Sequence, residues 1–187
     1  TYLTDRMGSA TLTPSGPFVA GSHAELTLVY TAGTFGIDDS GMLKVSWRTT
    51  SDMAKPQFTK PSAPNYTTVE ASNGAQLEYW VDRLNIRPWV NTVLVRVGRG
   101  FLREGDTITI RLGDRRNGSP GLRLQTNCEE RFELKVYVDA FATYEFAELV
   151  PGERVVMRTQ QGPFPMETTY TWQPAPNDAT LMTLRNR

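Results

Sequence analysis

The chain has 187 residues, with 20 basic and 20 acidic side chains, one His and one Cys. Zero net charge argues against a general nucleic-acid or anionic-membrane binder, which needs a basic excess. One Cys excludes an intrachain disulfide and a Cys-cluster zinc site, and one His excludes a His-pair metal site within the chain.

The start, Thr1-Tyr2-Leu3-Thr4-Asp5-Arg6, has no basic-then-apolar signal pattern and no initiator Met. It reads as processed, trimmed or part of something longer, so the localisation stays open. No stretch approaches ~18 apolar residues, so no membrane insertion is expected.

Period-two alternation dominates the rest of the chain. Leu26, Leu28 and Tyr30 alternate with Glu25, Thr27 and Val29, and Leu43, Val45 and Trp47 with Lys44, Ser46 and Arg48. The pattern returns at Val93–Val97, at Ile108–Leu112 and at Phe132–Val138. Successive strand residues point to opposite faces, so each run offers one apolar face and one mostly polar one, as half-buried antiparallel strands do. Weaker strand runs are Ala10–Thr13, Tyr66–Glu70, Gln76–Trp80, Leu122–Thr126, Arg154–Arg158 and Thr168–Trp172. Only Ala140–Val150 leans towards a helix or turn, with Phe141, Tyr144 and Leu149 loosely at helical spacing. Turn clusters separate the runs, and 15 Gly with 12 Pro suit many short strands. The pattern predicts an all-β chain: an antiparallel β-sandwich of immunoglobulin-like or jelly-roll type with little or no helix. A boundary is expected at Val150-Pro151-Gly152, with a sandwich over residues 1–150. Residues 151–187 read as a tail, or the start of a following domain, packed on the sandwich.

Four groups of residues are candidates for binding or chemistry. In Gly36-Ile37-Asp38-Asp39-Ser40-Gly41, Asp38 and Asp39 offer oxygens to calcium, though the spacing is not that of a twelve-residue calcium loop. The alternative is an acidic turn. In Gly113–Gly121, Asp114, Arg115 and Arg116 form the densest polar group of the chain. They suit an anion or a loop locked by a carboxylate–guanidinium pair. Trp80, Arg87 and Trp89, with Tyr79 nearby, suit stacking on a sugar ring or packing in a core, whereas Trp47 belongs to the apolar face of its strand. Paired-carboxylate hydrolysis would draw on Asp38, Asp39, Asp106 or Asp114, but adjacent Asp38 and Asp39 point apart on an extended chain. His23 reads as a solvated turn residue and Cys128, between Asn127 and Glu129, as a structural thiol. Two glycosylation sequons, at Asn65 and Asn117, carry no weight. No catalytic set and no cofactor are expected.

The order of several segments adds a resemblance. Pro14–Pro17, Leu28–Gly33 with Gly36–Gly41, Gln57 with Pro61 and Pro64-Asn65-Tyr66, and Arg87-Pro88-Trp89 come first. Gly105–Ile110, Gly113-Asp114-Arg115, Gly118–Arg123 and Gln125-Thr126 come after them. Over most of Thr11–Asp139 this resembles the N-terminal β-sandwich region of a bacterial family of uncharacterised function. Its members carry a downstream PHP-like metallohydrolase domain, of the polymerase-and-histidinol-phosphatase type. The resemblance implies a non-catalytic accessory module that packs on or gates that domain, and it transfers no catalytic residue. A carbohydrate-binding sandwich using exposed Trp residues is the alternative. A homodimer through an uncovered sheet is left open.

Overall fold

The structure is a computed structural model, and it describes residues 6–83, 85, 87–140, 144–159, 167–176 and 179–186. Among these the chain is all-β, with fourteen strands and no α-helix. The first ten are β1 (Gly8–Thr13), β2 (His23–Ala24), β3 (Leu26–Ala32), β4 (Met42–Trp47), β5 (Thr67–Ala71), β6 (Gln76–Asp82), β7 (Asn91–Arg99), β8 (Thr107–Leu112), β9 (Leu122–Arg123) and β10 (Lys135–Asp139). The last four are β11 (Tyr144–Val150), β12 (Arg154–Thr159), β13 (Glu167–Ala175) and β14 (Ala179–Asn186).

Two four-stranded antiparallel sheets form the sandwich: β1-β3-β8-β5 and β10-β4-β7-β6. The alternation read from the sequence sets their faces. Leu26, Leu28 and Tyr30 from β3, Leu43, Val45 and Trp47 from β4, and Val93, Val95 and Val97 from β7 are buried in one cluster. Ile108, Ile110 and Leu112 from β8 complete its centre with no exposure at all. Burial of large apolar side chains on this scale, at roughly 1.5–3 kcal/mol each, is the main force closing one sheet on the other. The alternate residues Lys44, Arg96, Arg111 and Lys135 fall on the outer faces, because the side-chain period of a strand is two.

Several expectations change at the element scale. The Phe132–Val138 run forms a strand only from Lys135, and Phe132 is exposed. Leu122–Thr126 shortens to the two residues of β9, which pair with β2 at His23↔Arg123 and Ala24↔Leu122. The stretch read as a helix or turn contains a strand, β11, in its Tyr144–Val150 part; Phe141 lies outside the described residues. β11 pairs with β12, β12 with β13 and β13 with β14 in a four-stranded antiparallel meander. Val150-Pro151-Gly152 is the turn between β11 and β12, closed by the Glu153 N–H donating to the Val150 carbonyl at 3.0 Å. This third sheet begins at Tyr144.

Candidate functional site

The outer face of β10-β4-β7-β6 gathers aromatic residues from distant parts of the sequence. On β6 the inward residues are Leu77 and Tyr79, which pack on the core, so Glu78, Trp80 and Asp82 point outward. Register then fixes a row across all four strands. Trp80 faces Leu94, Leu94 faces Lys44, and Lys44 faces Tyr137. Trp80 is 39% exposed and Tyr137 37%. Leu94, held between Lys44 and Trp80, is nearly buried despite lying on the outer side. One row along lie Asp139, Met42, Arg96 and Glu78, with the Arg96 guanidinium and the Glu78 carboxylate ion-paired.

The row on the other side is Lys135, Ser46, Thr92 and Asp82, and a loop covers its middle. Ser46 and Thr92 are fully buried and share a 2.8 Å hydroxyl–hydroxyl bond. The Asn85 amide donates to Ser46 Oγ at 3.1 Å and to the Trp89 carbonyl at 2.8 Å. The Thr49 N–H donates to the Pro88 carbonyl at 2.8 Å. These bonds bring Trp89 to the outer face, where Lys135 Nζ lies 4.2 Å from its ring centroid, a cation–π contact. One face of the Trp89 ring is therefore taken by an ammonium, whereas Trp80 projects from the sheet. Arg87, exposed, lines an open cleft of about 580 Å³ beside this loop with Arg83, Asn85 and Thr49. The sequence named Trp80, Arg87 and Trp89 without their common face. It missed Tyr137, whose place opposite Lys44 depends on pairing between β10 and β4.

Asp114, Arg115 and Arg116 sit at the other sheet. The Asp114 carboxylate is fully buried and accepts from Thr68 Oγ1 at 2.7 Å, from the Arg116 N–H at 3.0 Å and from the Arg116 guanidinium at 2.6–3.0 Å. The Arg116 guanidinium holds the Asp114 carboxyl well below the usual carboxylate range, helped by the backbone N–H and Thr68 against the opposing effect of burial. Arg116 also pairs with Glu70 at 3.1 Å, and Glu70 with Arg111 at 2.8 Å. Arg115 donates to the carbonyls of His23 at 2.7 Å and Pro120 at 3.1 Å. The group thus binds the β8–β9 connection to β2 and β5.

Asp38 and Asp39 occupy a tight turn. Asp38 Oδ1 accepts the Asp39 N–H at 2.8 Å, and the Asp38 carbonyl accepts the Gly41 N–H at 2.9 Å. Burial raises the Asp38 carboxyl above its ordinary range, against the lowering effect of the Asp39 N–H. Asp106 Oδ2 accepts from Arg103 N–H and Asn73 Nδ2, both at 2.8 Å. Asp38, Asp106 and Asp114 lie in three different loops, and each is already hydrogen-bonded there. Among the described residues no group of three or more His, Cys, Asp or Glu comes together to hold a metal ion. His23 and Cys128 are exposed. No described helix is long and apolar enough to cross a membrane.

No protein-family model matches the chain, and no curated protein matches it. Among solved structures, the chain is similar to the CBM3a-L domain, with flanking linkers, from the scaffoldin CipA of the Clostridium thermocellum cellulosome. The likeness has a TM-score of 0.39 and 13% sequence identity, covering 73% of this chain and 88% of that one.

Proposed function

We propose that this chain is a non-catalytic carbohydrate-binding sandwich whose binding surface is the outer face of β10-β4-β7-β6. The observation that carries this is the convergence of Trp80, Tyr137 and Trp89 on one side of one sheet. Trp80 and Tyr137 are three strand spacings apart, roughly 14 Å across the sheet. Sugar rings present C–H groups on their flat faces and hydroxyls at their edges. An open indole such as Trp80 takes the former, and Lys44, Lys135, Asp82 and Asp139 supply donors and acceptors for the latter. Trp89, capped by Lys135, holds that ammonium in place rather than serving as a second open platform. Arg87 in the adjoining cleft extends the polar rim.

Calorimetry and pull-down against a panel of soluble and insoluble polysaccharides test this. Saturable binding is expected, weakened at least tenfold by Trp80→Ala and less by Trp89→Ala, with Trp80→Ala still unfolding cooperatively on heating. No binding across the panel, or binding indifferent to Trp80→Ala and Tyr137→Ala alike, sinks the reading.

A second reading is the accessory module implied by the resemblance, packing against a metallohydrolase-like domain of the same polypeptide. The observation that favours it is an apolar row across the third sheet: Leu149, Val155, Tyr170 and Leu184 are successive cross-strand partners. Leu149 and Leu184 in this row are 62% and 50% exposed. If the full-length polypeptide lacking this module kept normal stability and activity, that reading would fail.

A further inference from the structure

Among the described residues the third sheet has two edges, β11 and β14, and they differ. β11 is interrupted by a bulge between Phe146 and Glu148, a device that spoils an edge for further pairing. β14 has no such interruption. It runs against β13 through eight consecutive pairs, from Thr168↔Asn186 to Ala175↔Ala179, with no shift of register. All eight of its residues are exposed, none is Pro, Gly or acidic, and Arg185 is its one charge. The free side of such a strand offers a row of unpaired N–H and C=O groups to another strand.

Three large apolar side chains stand on β14. Leu181, Met182 and Leu184 are each half exposed or more. Met182 and Leu184 share the side of Trp172 and Tyr170, their partners on β13, and Leu181, Thr183 and Arg185 share the other. A second β14, antiparallel about a twofold axis standing perpendicular to the sheet at Thr183, matches all three. Such an axis keeps the same side of both copies upward. Met182 of each copy then faces Leu184 of the other. Leu181 of each faces Arg185 of the other, whose alkyl stem covers it while the guanidinium stays in water. No like charges stand directly opposite each other. An axis at Met182 would set Leu184 against Thr180, and one at Leu184 would set Met182 against Asn186, so the register at Thr183 is the selective one.

We propose that β14 pairs antiparallel with β14 of a second copy of this chain about a twofold axis at Thr183, joining two third sheets into one of eight strands. Growth stops at two copies, because both outer edges are then the bulged β11. No residue of the aromatic face lies on β14, so the pairing stands whether or not that face binds sugar.

Sedimentation equilibrium of the whole chain from low to high micromolar concentration tests this, and a monomer–dimer equilibrium is expected. Thr171 and Gln173, which face Thr183 and Leu181 on β13, are uncharged, so a charge placed at either position acts chiefly on the second copy. Thr183→Lys sets two ammonium groups opposite each other and should weaken the dimer at least about fivefold. Leu181→Glu sets a carboxylate against Arg185 of the second copy, and Leu181→Lys an ammonium. The Lys variant should dimerise at least about tenfold more weakly than the Glu variant, with the gap narrowing in high salt. In the unaltered chain, amide protection should rise with concentration at β14 and not at β11. A monomer at every concentration overturns the proposal, as does open-ended growth or protection that rises at β11 instead. A dimer indifferent to Thr183→Lys, or equally strong in the two Leu181 variants, overturns the register.

Discussion

Tyr30 shows how one buried side chain ties stability to pH. It lies in the core at 1% exposure, and its hydroxyl donates to the Met7 carbonyl at 2.5 Å. Burial pushes the phenol up from 10.0 to about 12. The neutral form is thus favoured in the folded chain, and the stability it contributes is complete below pH 10 and lost as pH rises towards 12. Absorbance titration should find a tyrosine that ionises near 12, and Tyr30→Phe should remove that step. Asp114 works in the opposite sense. Its carboxyl is depressed chiefly by Arg116, so its contribution is present above the unfolded value of about 4 and fades as pH falls below it. Asp114→Ala removes the acceptor of the Thr68 hydroxyl and leaves the half-exposed Arg116 guanidinium with Glu70 and Thr68 Oγ1 as its remaining partners. We expect a loss of about 2–3 kcal/mol at pH 7 by denaturant unfolding, shrinking as the pH is taken down to about 3.

Strands are legible in the sequence where alternation coincides with burial on one face. β3, β4, β7 and β8 qualify, because each carries three or more core residues at every second position. β14 is not legible: Leu181, Met182 and Leu184 break strict alternation, and the whole strand is exposed. β11 misleads because Tyr144 and Leu149 fit a loose helical spacing, while its strand state depends on pairing with β12. The candidate site is legible only in part for the same reason. Trp80 and Trp89 stand out as residues, but their common face with Tyr137 comes from the β6–β7–β4–β10 register, which joins segments far apart in the chain. Turns are plain in the sequence, and two of them make a sharp contrast. A Cβ added to Gly113, at φ +76°, would lie 2.1 Å from the Leu122 backbone nitrogen. At Gly118, at φ +88°, it would meet nothing within 4 Å. Gly118→Ala should cost about 1 kcal/mol, from the left-handed backbone alone. Gly113→Ala should cost several times more, because backbone must move, as thermal unfolding of the two variants would show.

Across the molecule, protection from solvent is unevenly spread. β7 and β8 lie inside their sheets and contribute residues with no exposure, whereas β14 forms an edge with every residue exposed. Opening free energy follows buried contacts. Hydrogen exchange should therefore be slowest at the amides of β7 and β8, close to the global unfolding limit, and fastest among strands at β14. Equal protection of β14 and β8 in dilute monomer would contradict this distribution. A concentration-dependent rise in β14 protection would instead reveal pairing of that edge with another chain.

The four tryptophans differ in what they touch, and the same placement makes them separable optically. Trp47 has no exposed surface, Trp89 faces an ammonium, Trp80 projects from the sheet, and Trp172 stacks at 6.2 Å on Tyr170. An aqueous quencher will reach Trp80 readily and Trp47 hardly at all. The blue-shifted emission that survives quenching is thus an internal gauge of core integrity. The quenchable part reports independently on whatever settles over the aromatic face.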